Sequence, residues 1–128
     1  MTYLLDTHAF LSLLNTPEML PHQTLNLAVD RGNRMVLSLA TPWEMAIKEG
    51  TGKLEVSDIL SSFQSTVTQA GYTVIETTVG QAIRSGRLPL HHKDPFDRLL
   101  AAQALELRIP IISRDAIFDR YGVTRIWN

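Results

Sequence analysis

Short apolar runs alternate along the chain with stretches in which apolar residues recur at helical spacing. The runs that predict strands span residues 3–5, 35–39, 72–75, 109–113 and 123–127. Between them, apolar residues three and four positions apart predict amphipathic helices, including one over residues 57–70. Because strands alternating with helices are typical of the α/β class, we expect a mostly parallel central sheet of about four or five strands, with helices on both faces.

Residues 91–104 contain the clearest helix start. Asp94 is a favourable N-cap residue, and Pro95 suits the first helical position, where a backbone N–H is not needed. Asp97 follows in the first turn, at the positive end of the helix dipole. The apolar residues predicted to form the buried face of this helix are Phe96, Leu99, Leu100, Ala104 and Leu107.

A second helix start of the same kind follows the strand at residues 35–39. Thr41 is the predicted cap and Pro42 the first helical residue, so that Glu44 can complete a capping box and pair with Lys48 along the helix. The apolar residues predicted to face inward from this helix are Trp43, Ala46 and Ile47. Two predicted helices therefore begin with an acid in the first turn.

The length and composition are those of one folded domain. The 128 residues are 45% hydrophobic, which is enough to bury a sizeable core, so we expect a single domain over residues 1–128. The chain has no cysteine, which excludes disulfides, thiolate metal sites and cysteine nucleophiles. The absence of cysteine also suits a reducing cytosol.

Charge and hydropathy predict no membrane attachment. The 12 basic and 13 acidic residues give a formal net charge of -1, so the chain has no overall attraction to nucleic acid or anionic lipid, although a local basic rim or bound metal ions can suffice. Asp6 and His8 interrupt the first apolar run, which argues against a signal peptide. No run approaches the ~20 apolar residues of a membrane span, and we expect a cytoplasmic protein.

Four acids lie at predicted strand-to-helix junctions. Asp6 follows the first strand, Glu44 opens the helix after the second, Asp97 opens a later helix, and Asp115 follows the strand at 109–113. In a parallel sheet all four can reach the carboxyl edge, where ligand sites of such folds lie. Clustered carboxylates repel one another without a cation, and oxygen ligands suit Mg²⁺ or Mn²⁺. The pattern therefore favours metal-assisted phosphodiester hydrolysis over glycoside hydrolysis, which needs two carboxylates.

Each of these acids also has a structural explanation. Glu44 can serve the capping box, and Asp97 can be a first-turn acid favoured by the helix dipole. Asp6 and Asp115 can each cap a following helix, and Asp94 is interpreted as a structural cap. Capping and metal binding are compatible, because a carboxylate placed by a helix end still offers oxygen atoms to a cation.

Hydroxyl and basic side chains lie next to the acids in the sequence. Thr7 and Ser113 are candidates for orienting the carboxylates, or alternatively for hydrogen bonds within turns. Arg98 and Arg114 are candidates for holding a phosphate, or alternatively are solvated surface charges. His92 is a candidate for contacting substrate or metal, or alternatively for stabilising the turn before Asp94; the second is favoured because the His91-His92 pair lacks helical ligand spacing.

Several segments occur in a characteristic order. They are residues 5–8 (LDTH), 43–48 (WEMAIK), 52–54 (GKL), 92–104 (HKDPFDRLLAAQA), 112–115 (ISRD) and 121–127 (YGVTRIW). Each alone is unspecific, but together they cover nearly the whole chain, which resembles the PIN-domain ribonucleases and more narrowly the toxin subunit of VapBC-type bacterial toxin–antitoxin pairs. Ser113 stands where such toxins often have threonine, and Thr41-Pro42 where a serine is common nearby; neither departure removes an acid.

The resemblance implies a Mg²⁺- or Mn²⁺-dependent endoribonuclease whose catalytic and metal-binding acids are Asp6, Glu44, Asp97 and Asp115. It also implies a homodimer held inactive by a small antitoxin, whose tail lies over the toxin and often reaches the acidic site with a basic residue. Such complexes usually bind promoter DNA through the antitoxin. We therefore expect activated water to attack single-stranded or loop RNA in line, leaving 5′-phosphate and 3′-hydroxyl ends.

Other functional classes fit the sequence less well. A receiver-like domain has adjacent acids after its first strand and a late lysine, and a haloacid-dehalogenase-like phosphatase has two aspartates flanking one residue; Asp6-Thr7-His8 fits neither. A larger structure-specific DNA nuclease of related fold needs insertions that 128 residues cannot hold. The remaining alternative is a catalytically silent PIN fold that binds RNA or a partner; loss of an acid would indicate it, and all four acids are present.

Overall fold

Five parallel strands form the central sheet in a computed structural model that describes residues 1–128. The strands are β1 (Thr2–Leu5), β2 (Arg34–Ser38), β3 (Thr73–Ile75), β4 (Ile111–Ile112) and β5 (Arg125–Ile126). Their order across the sheet is β3-β2-β1-β4-β5, and every neighbouring pair is parallel. The predicted α/β class with a mostly parallel sheet is confirmed.

The register of the sheet brings the carboxyl ends of three strands together. Leu5, the last residue of β1, pairs with Leu37 of β2 on one side and with Ile112 of β4 on the other. β1 therefore ends between the ends of its two neighbours. The residues that follow these strands lie at one edge of the sheet, which is where ligand sites form in open parallel sheets.

Seven α-helices and two 3₁₀ turns connect the strands. The helices are α1 (Thr7–Asn15), α2 (His22–Val29), α3 (Ala40–Gly50), α4 (Ser57–Ser61), α5 (Phe63–Ala70), α6 (Val79–Arg87) and α7 (Pro95–Leu107); the 3₁₀ turns span Pro17–Met19 and Ala116–Tyr121. The single helix predicted over 57–70 is divided at Ser62, whose hydroxyl donates a hydrogen bond to the Asp58 carbonyl. This side-chain bond competes with the backbone ladder at that point. None of the helices has the length and apolarity needed to cross a bilayer.

Alternation along the strands builds a separate core on each face of the sheet. On one face, Tyr3 and Leu5 pack with Phe10 of α1 and Phe63 of α5. On the other face, Leu4 belongs to a cluster formed by Val36, Leu100, Ala101, Ala104, Ile111, Phe118, Tyr121 and Val123. Helices on both faces therefore cover the sheet, as the strongly apolar strands predict.

Helix α3 faces the sheet with a side different from the predicted one. It begins at Ala40, whose N–H donates to the Ser38 hydroxyl, so Thr41 lies inside the helix rather than at its cap. The buried residues are Ala40, Thr41, Glu44 and Met45. Trp43 is 58% exposed and Ile47 45% exposed, so the prediction that they face inward is wrong. A buried acid in place of an aromatic residue is possible because Glu44 meets polar partners inside.

Candidate active site

Asp6 lies in the turn from β1 to α1 and is almost completely buried. Its Oδ1 accepts the Ala9 N–H at 2.8 Å, which caps α1, and its Oδ2 accepts the Ser113 hydroxyl at 2.5 Å. Burial raises the pKa of the Asp6 carboxyl above its ordinary value, although these hydrogen bonds act in the opposite direction and the charge of Glu44 adds to the rise. The carboxylate is held firmly in a place that disfavours its charge.

Glu44 is held by hydrogen bonds from Thr7 of α1 and from Lys48 of its own helix instead of completing a capping box. The Thr7 hydroxyl donates to Oε1 at 2.6 Å, and Lys48 donates from Nζ to Oε2 at 2.5 Å. Burial by itself lowers the pKa of Lys48, but the hydrogen bond and the charge of Glu44 raise it more, so the net shift is upward. Thr7 and Lys48 therefore fix and partly neutralise the buried carboxylate.

Asp97 lies in the first turn of α7, directly after the Asp94 cap and Pro95, as predicted. Burial, followed by the negative charges of Asp94, Glu44 and Asp6, raises the pKa of the Asp97 carboxyl to about 7, while His92 lowers it. The influence of Glu44 and Asp6 on this pKa follows from their proximity. Three of the four acids singled out in the sequence therefore repel one another at the carboxyl edge of the sheet.

Asp115 is the most open of the four acids, with half of its side chain exposed. It follows β4 and caps the 3₁₀ turn at Ala116–Tyr121, because its Oδ1 accepts the Ile117 N–H at 3.0 Å. Its own N–H donates to the Ser113 hydroxyl at 3.0 Å. Since that hydroxyl also donates to Asp6, Ser113 links two of the acids, and the structure brings all four to one edge.

The donor set fits a hard divalent cation. Carboxylate oxygens are the ligands that Mg²⁺ and Mn²⁺ prefer, and Asp6, Glu44, Asp97 and Asp115 supply them. Lys48 supplies positive charge to Glu44, yet the pKa values of both Asp6 and Asp97 remain raised. The negative charge of the site thus exceeds what the chain itself neutralises, and a bound cation would supply the difference.

Arg98 is not available to a substrate phosphate, and that interpretation of the sequence is corrected. Its side chain is buried, and its guanidinium is occupied by backbone carbonyl oxygens. The guanidinium donates to the carbonyl oxygens of Ser85, Gly86, Leu88, Pro89 and His92, at 2.9 to 3.3 Å. Arg98 therefore binds the C-terminal end of α6 and the segment that connects it to α7, next to Asp97.

Arg114 remains exposed between Ser113 and Asp115. It lines a cavity of about 210 Å³ together with His8, Ser12 and Trp127. Its predicted contact with a phosphate therefore stays a prediction, on a surface that borders the acids.

His92 has contacts that sequence reasoning identified only in part. Its Nδ1 lies 3.2 Å from the Asp94 N–H, in agreement with the predicted stabilisation of that turn. Its Nε2 lies 2.9 Å from Asp97 Oδ2 and 3.7 Å from Asp115 Oδ2, which the sequence analysis did not foresee. The contact with Asp115 joins segments distant in the chain, and no local sequence signal predicts it.

Comparison with known proteins agrees with this geometry. The family model of the PIN domain matches residues 3–123. Among solved structures, VapBC2 from Rickettsia felis bound to a promoter DNA fragment aligns with a TM-score of 0.72 at 17% identity, over 100% of both chains. VapBC-1 from nontypeable Haemophilus influenzae aligns with a TM-score of 0.68 at 18% identity, over 98% of this chain and 97% of that one.

A further similar structure is FitAcB from Neisseria gonorrhoeae, with a TM-score of 0.61 at 18% identity over 98% of this chain and 96% of that one. At such identities the structural matches establish a shared fold. A search of curated protein sequences gives no match. The family model, in contrast, spans nearly the entire sequence. This chain belongs to the PIN-domain family.

Proposed function

We propose that the protein is a Mg²⁺- or Mn²⁺-dependent endoribonuclease, the VapC-type toxin of a toxin–antitoxin pair acting in the cytoplasm, with residues 1–128 as one catalytic domain. The observation that carries the proposal is the meeting of four acids at the carboxyl edge of the sheet, where the pKa of Asp97 is raised to about 7. Membership of the PIN-domain family and the VapBC-like fold support the nuclease function and the toxin class.

Asp6, Glu44, Asp97 and Asp115 would hold the cation. A divalent cation at such a site supplies a water molecule of lowered pKa and neutralises charge that develops during attack on phosphorus. Ser113 and Thr7 orient the carboxylates of Asp6 and Glu44, and Lys48 forms an ion pair with Glu44. Hydrolysis in line then leaves a 5′-phosphate and a 3′-hydroxyl.

The proposed substrate is single-stranded or loop RNA. The exposed Arg114 lies beside Asp115, where its guanidinium can contact a phosphate that flanks the scissile bond. Single-stranded RNA can bend its backbone towards such an open edge, whereas a regular duplex cannot.

The proposed partner is a small antitoxin that covers the acidic edge and inserts a basic residue among the carboxylates. The excess negative charge of the site favours such a residue as it favours a cation. Promoter DNA would be bound through the antitoxin, in keeping with the Rickettsia felis VapBC2 structure, which contains a promoter fragment. Copurification with a small protein, weakened by excess Mg²⁺, would support the arrangement. Copurification that is unaffected by removal of all four acids would contradict it.

We also propose a homodimer formed through the exposed apolar side of α3. Leu39, Trp43 and Ile47 line a groove of about 540 Å³ together with residues of α6 and with Phe96. Trp43 contacts Phe96 edge-on, with ring centroids 5.0 Å apart, but stays 58% exposed. Exposed apolar surface of this kind marks an interaction site. Light scattering should find a dimer, and a monomer for Trp43→Glu; a dimeric Trp43→Glu protein would exclude this surface.

The nuclease is tested with purified protein, free of any partner, incubated with total RNA in Mg²⁺, Mn²⁺ or EDTA. The expected result is a discrete set of cuts that need metal and disappear in the Asp97→Asn variant. Asp58→Asn, an exposed acid of α4, is the matched control and should cut as the wild type does. Cleavage by folded Asp97→Asn protein would overturn the assignment, and a folded wild type without cleavage would favour the silent binding module.

A further inference from the structure

The His92 imidazole is the only nitrogen side chain that contacts two acids of the site. Its Nε2 lies 2.9 Å from Asp97 Oδ2 and 3.7 Å from Asp115 Oδ2. The nitrogen and the two carboxylate oxygens lie within 4.8 Å of one another, so that the three residues together have the composition of a metal site with one nitrogen ligand. The question is whether Nε2 offers a lone pair to a cation or a proton to the carboxylates.

The hydrogen bond of the other ring nitrogen, Nδ1, decides between these two roles of Nε2. Nδ1 of His92 is 3.2 Å from the backbone N–H of Asp94, which can only donate. Nδ1 must therefore accept, and in the neutral ring the proton is then on Nε2. A protonated Nε2 donates a hydrogen bond to Asp97 and has no lone pair for a metal.

The backbone of His92 is held in place independently of its ring. Its N–H donates to the Tyr121 hydroxyl at 2.9 Å, and its carbonyl accepts from Arg98 Nη1 at 3.3 Å. The Tyr121 hydroxyl in turn donates to the Pro89 carbonyl at 2.8 Å. The segment therefore presents the imidazole from a fixed position, and substitutions of the ring leave these bonds intact.

We propose that His92 is a positioning residue of the nuclease: its Nε2–H orients the carboxylate of Asp97, and secondarily that of Asp115, so that the cation is bound by oxygen atoms alone. The inference rests on the proposed metal-dependent function. His92 engages Oδ2 of Asp97, which would leave Oδ1 without a contact to the imidazole and open to a cation. A site of oxygen ligands favours Mg²⁺ and Mn²⁺, whereas an imidazole ligand would favour Zn²⁺ or Ni²⁺.

The first test measures the affinity of Mn²⁺ for metal-free protein by calorimetry. His92→Ala should bind Mn²⁺ about 10- to 100-fold more weakly, the usual consequence of losing a residue that orients a ligand. His92→Gln should recover most of the affinity, because its amide N–H can reach the same carboxylate. His91→Ala is the matched control, since His91 packs on Tyr121 with ring centroids 5.1 Å apart and does not contact the acids.

The second test reads the ring directly. Nitrogen-15 NMR above neutral pH should find Nε2 protonated both without metal and with saturating Mg²⁺. Pulsed EPR of the Mn²⁺-loaded protein should show no coupling between Mn²⁺ and a His92 nitrogen. The wild type and His92→Gln should therefore give the same nitrogen signals. These spectra do not depend on whether an RNA substrate has been found.

The possible outcomes separate the two proposals. A His92-dependent nitrogen coupling would make His92 a metal ligand and overturn the inference, while unchanged Mn²⁺ affinity in His92→Ala would remove its positioning role. A wild type that binds no divalent cation would reject the proposed function, and with it the inference. Weak binding in His92→Ala with recovery in His92→Gln, at equal melting temperatures, would support it.

Discussion

Asp6 and Asp97 are both acids at strand-to-helix junctions, yet the protein holds them in opposite ways. Both oxygens of Asp6 accept hydrogen bonds from the protein, and the residue is 4% exposed. Asp97 has one oxygen in contact with His92, and its side chain is 21% exposed. Asp6 belongs to a closed half of the site, with Ser113, Glu44 and Thr7; Asp97 belongs to an open half, with His92 and Asp115.

The two halves differ in how the fold accommodates carboxylates when no cation is bound. In the closed half, hydroxyl and ammonium donors compensate much of the cost of burying carboxylates. The pKa of Asp6 is nevertheless raised, because burial outweighs its hydrogen bonds. In the open half there are few such donors, and the charges of neighbouring acids add to burial in raising the pKa of Asp97 to about 7. We expect the closed half to contribute to the stability of the chain and the open half to depend more strongly on metal.

The largest expected effect is on catalysis. Asp97→Asn and Asp6→Asn should each reduce RNA cleavage roughly 10³-fold or more, about 4 kcal/mol of transition-state stabilisation, because each removes a proposed metal ligand. The two variants should differ in stability. Asp97→Asn should melt at or above the wild-type temperature because like-charge repulsion is relieved, whereas Asp6→Asn should gain less, since an amide group replaces an acceptor of the Ser113 or Ala9 bond. Equal melting temperatures of Asp97→Asn and Asp6→Asn would contradict the proposed difference between the two halves.

The stability of the segment that positions His92 in the open half should depend on Arg98. Arg98→Met keeps the length of the side chain but removes the Arg98 donor from the carbonyl oxygens of Ser85, Gly86, Leu88 and His92. The Pro89 carbonyl also loses Arg98 but keeps the Tyr121 hydroxyl as a donor. The substitution should lower the free energy of unfolding by about 4 kcal/mol. Arg114→Met, which removes an exposed charge, should change stability by less than about 0.5 kcal/mol. Urea denaturation of both variants measures the effect, and a similar loss in the two would contradict the role assigned to Arg98.

The pH dependence of stability should also depend on the open half. Folded protein keeps the Asp97 proton up to about pH 7, whereas the unfolded chain releases it near 3.8, so the folded state binds more protons between these values. The free energy of unfolding of the metal-free protein should therefore fall by about 4 kcal/mol as pH rises through this window, and level off above it. Subtracting the curve of Asp97→Asn isolates this contribution. Saturating Mg²⁺ should reduce this pH dependence of stability. An Asp97→Asn curve identical to that of the wild type would contradict the raised pKa of Asp97.

The closed half should show a smaller effect at Ser113. Ser113→Ala removes the donor to Asp6 and the acceptor of the Asp115 N–H, and should cost about 2 kcal/mol of unfolding free energy. Ser113→Thr keeps the hydroxyl and should lose less than half as much. Thermal melts of the two variants measure this difference. Equal melting temperatures for Ser113→Ala and Ser113→Thr would mean that the hydroxyl does not stabilise the closed half.

Helices α3 and α6 are the elements in which tertiary contacts override the local pattern. In α6 the buried side chain is Gln81, which bonds to Thr78 and Gln103, while Val79 and Ile83 are exposed. In α3 the inward position is taken by Glu44. Hydrophobic periodicity assigned the inward side of α3 to the wrong residues, because the buried Glu44 there is satisfied in part by Thr7, which is far away in the chain.

The sequence by itself determined the order of strands and helices, the parallel α/β class and the position of the acids at the junctions. These features depend on local physics: the hydrophobic period of each segment, the preference of Asp for the N-cap and of Pro for the first helical position, and the meeting of the carboxyl ends of parallel strands at one edge. The tertiary structure alone decided that the Arg98 guanidinium is occupied by backbone carbonyl oxygens and that His92 reaches both Asp97 and Asp115. Such contacts follow from distances between segments that are remote in the chain, which no local pattern encodes.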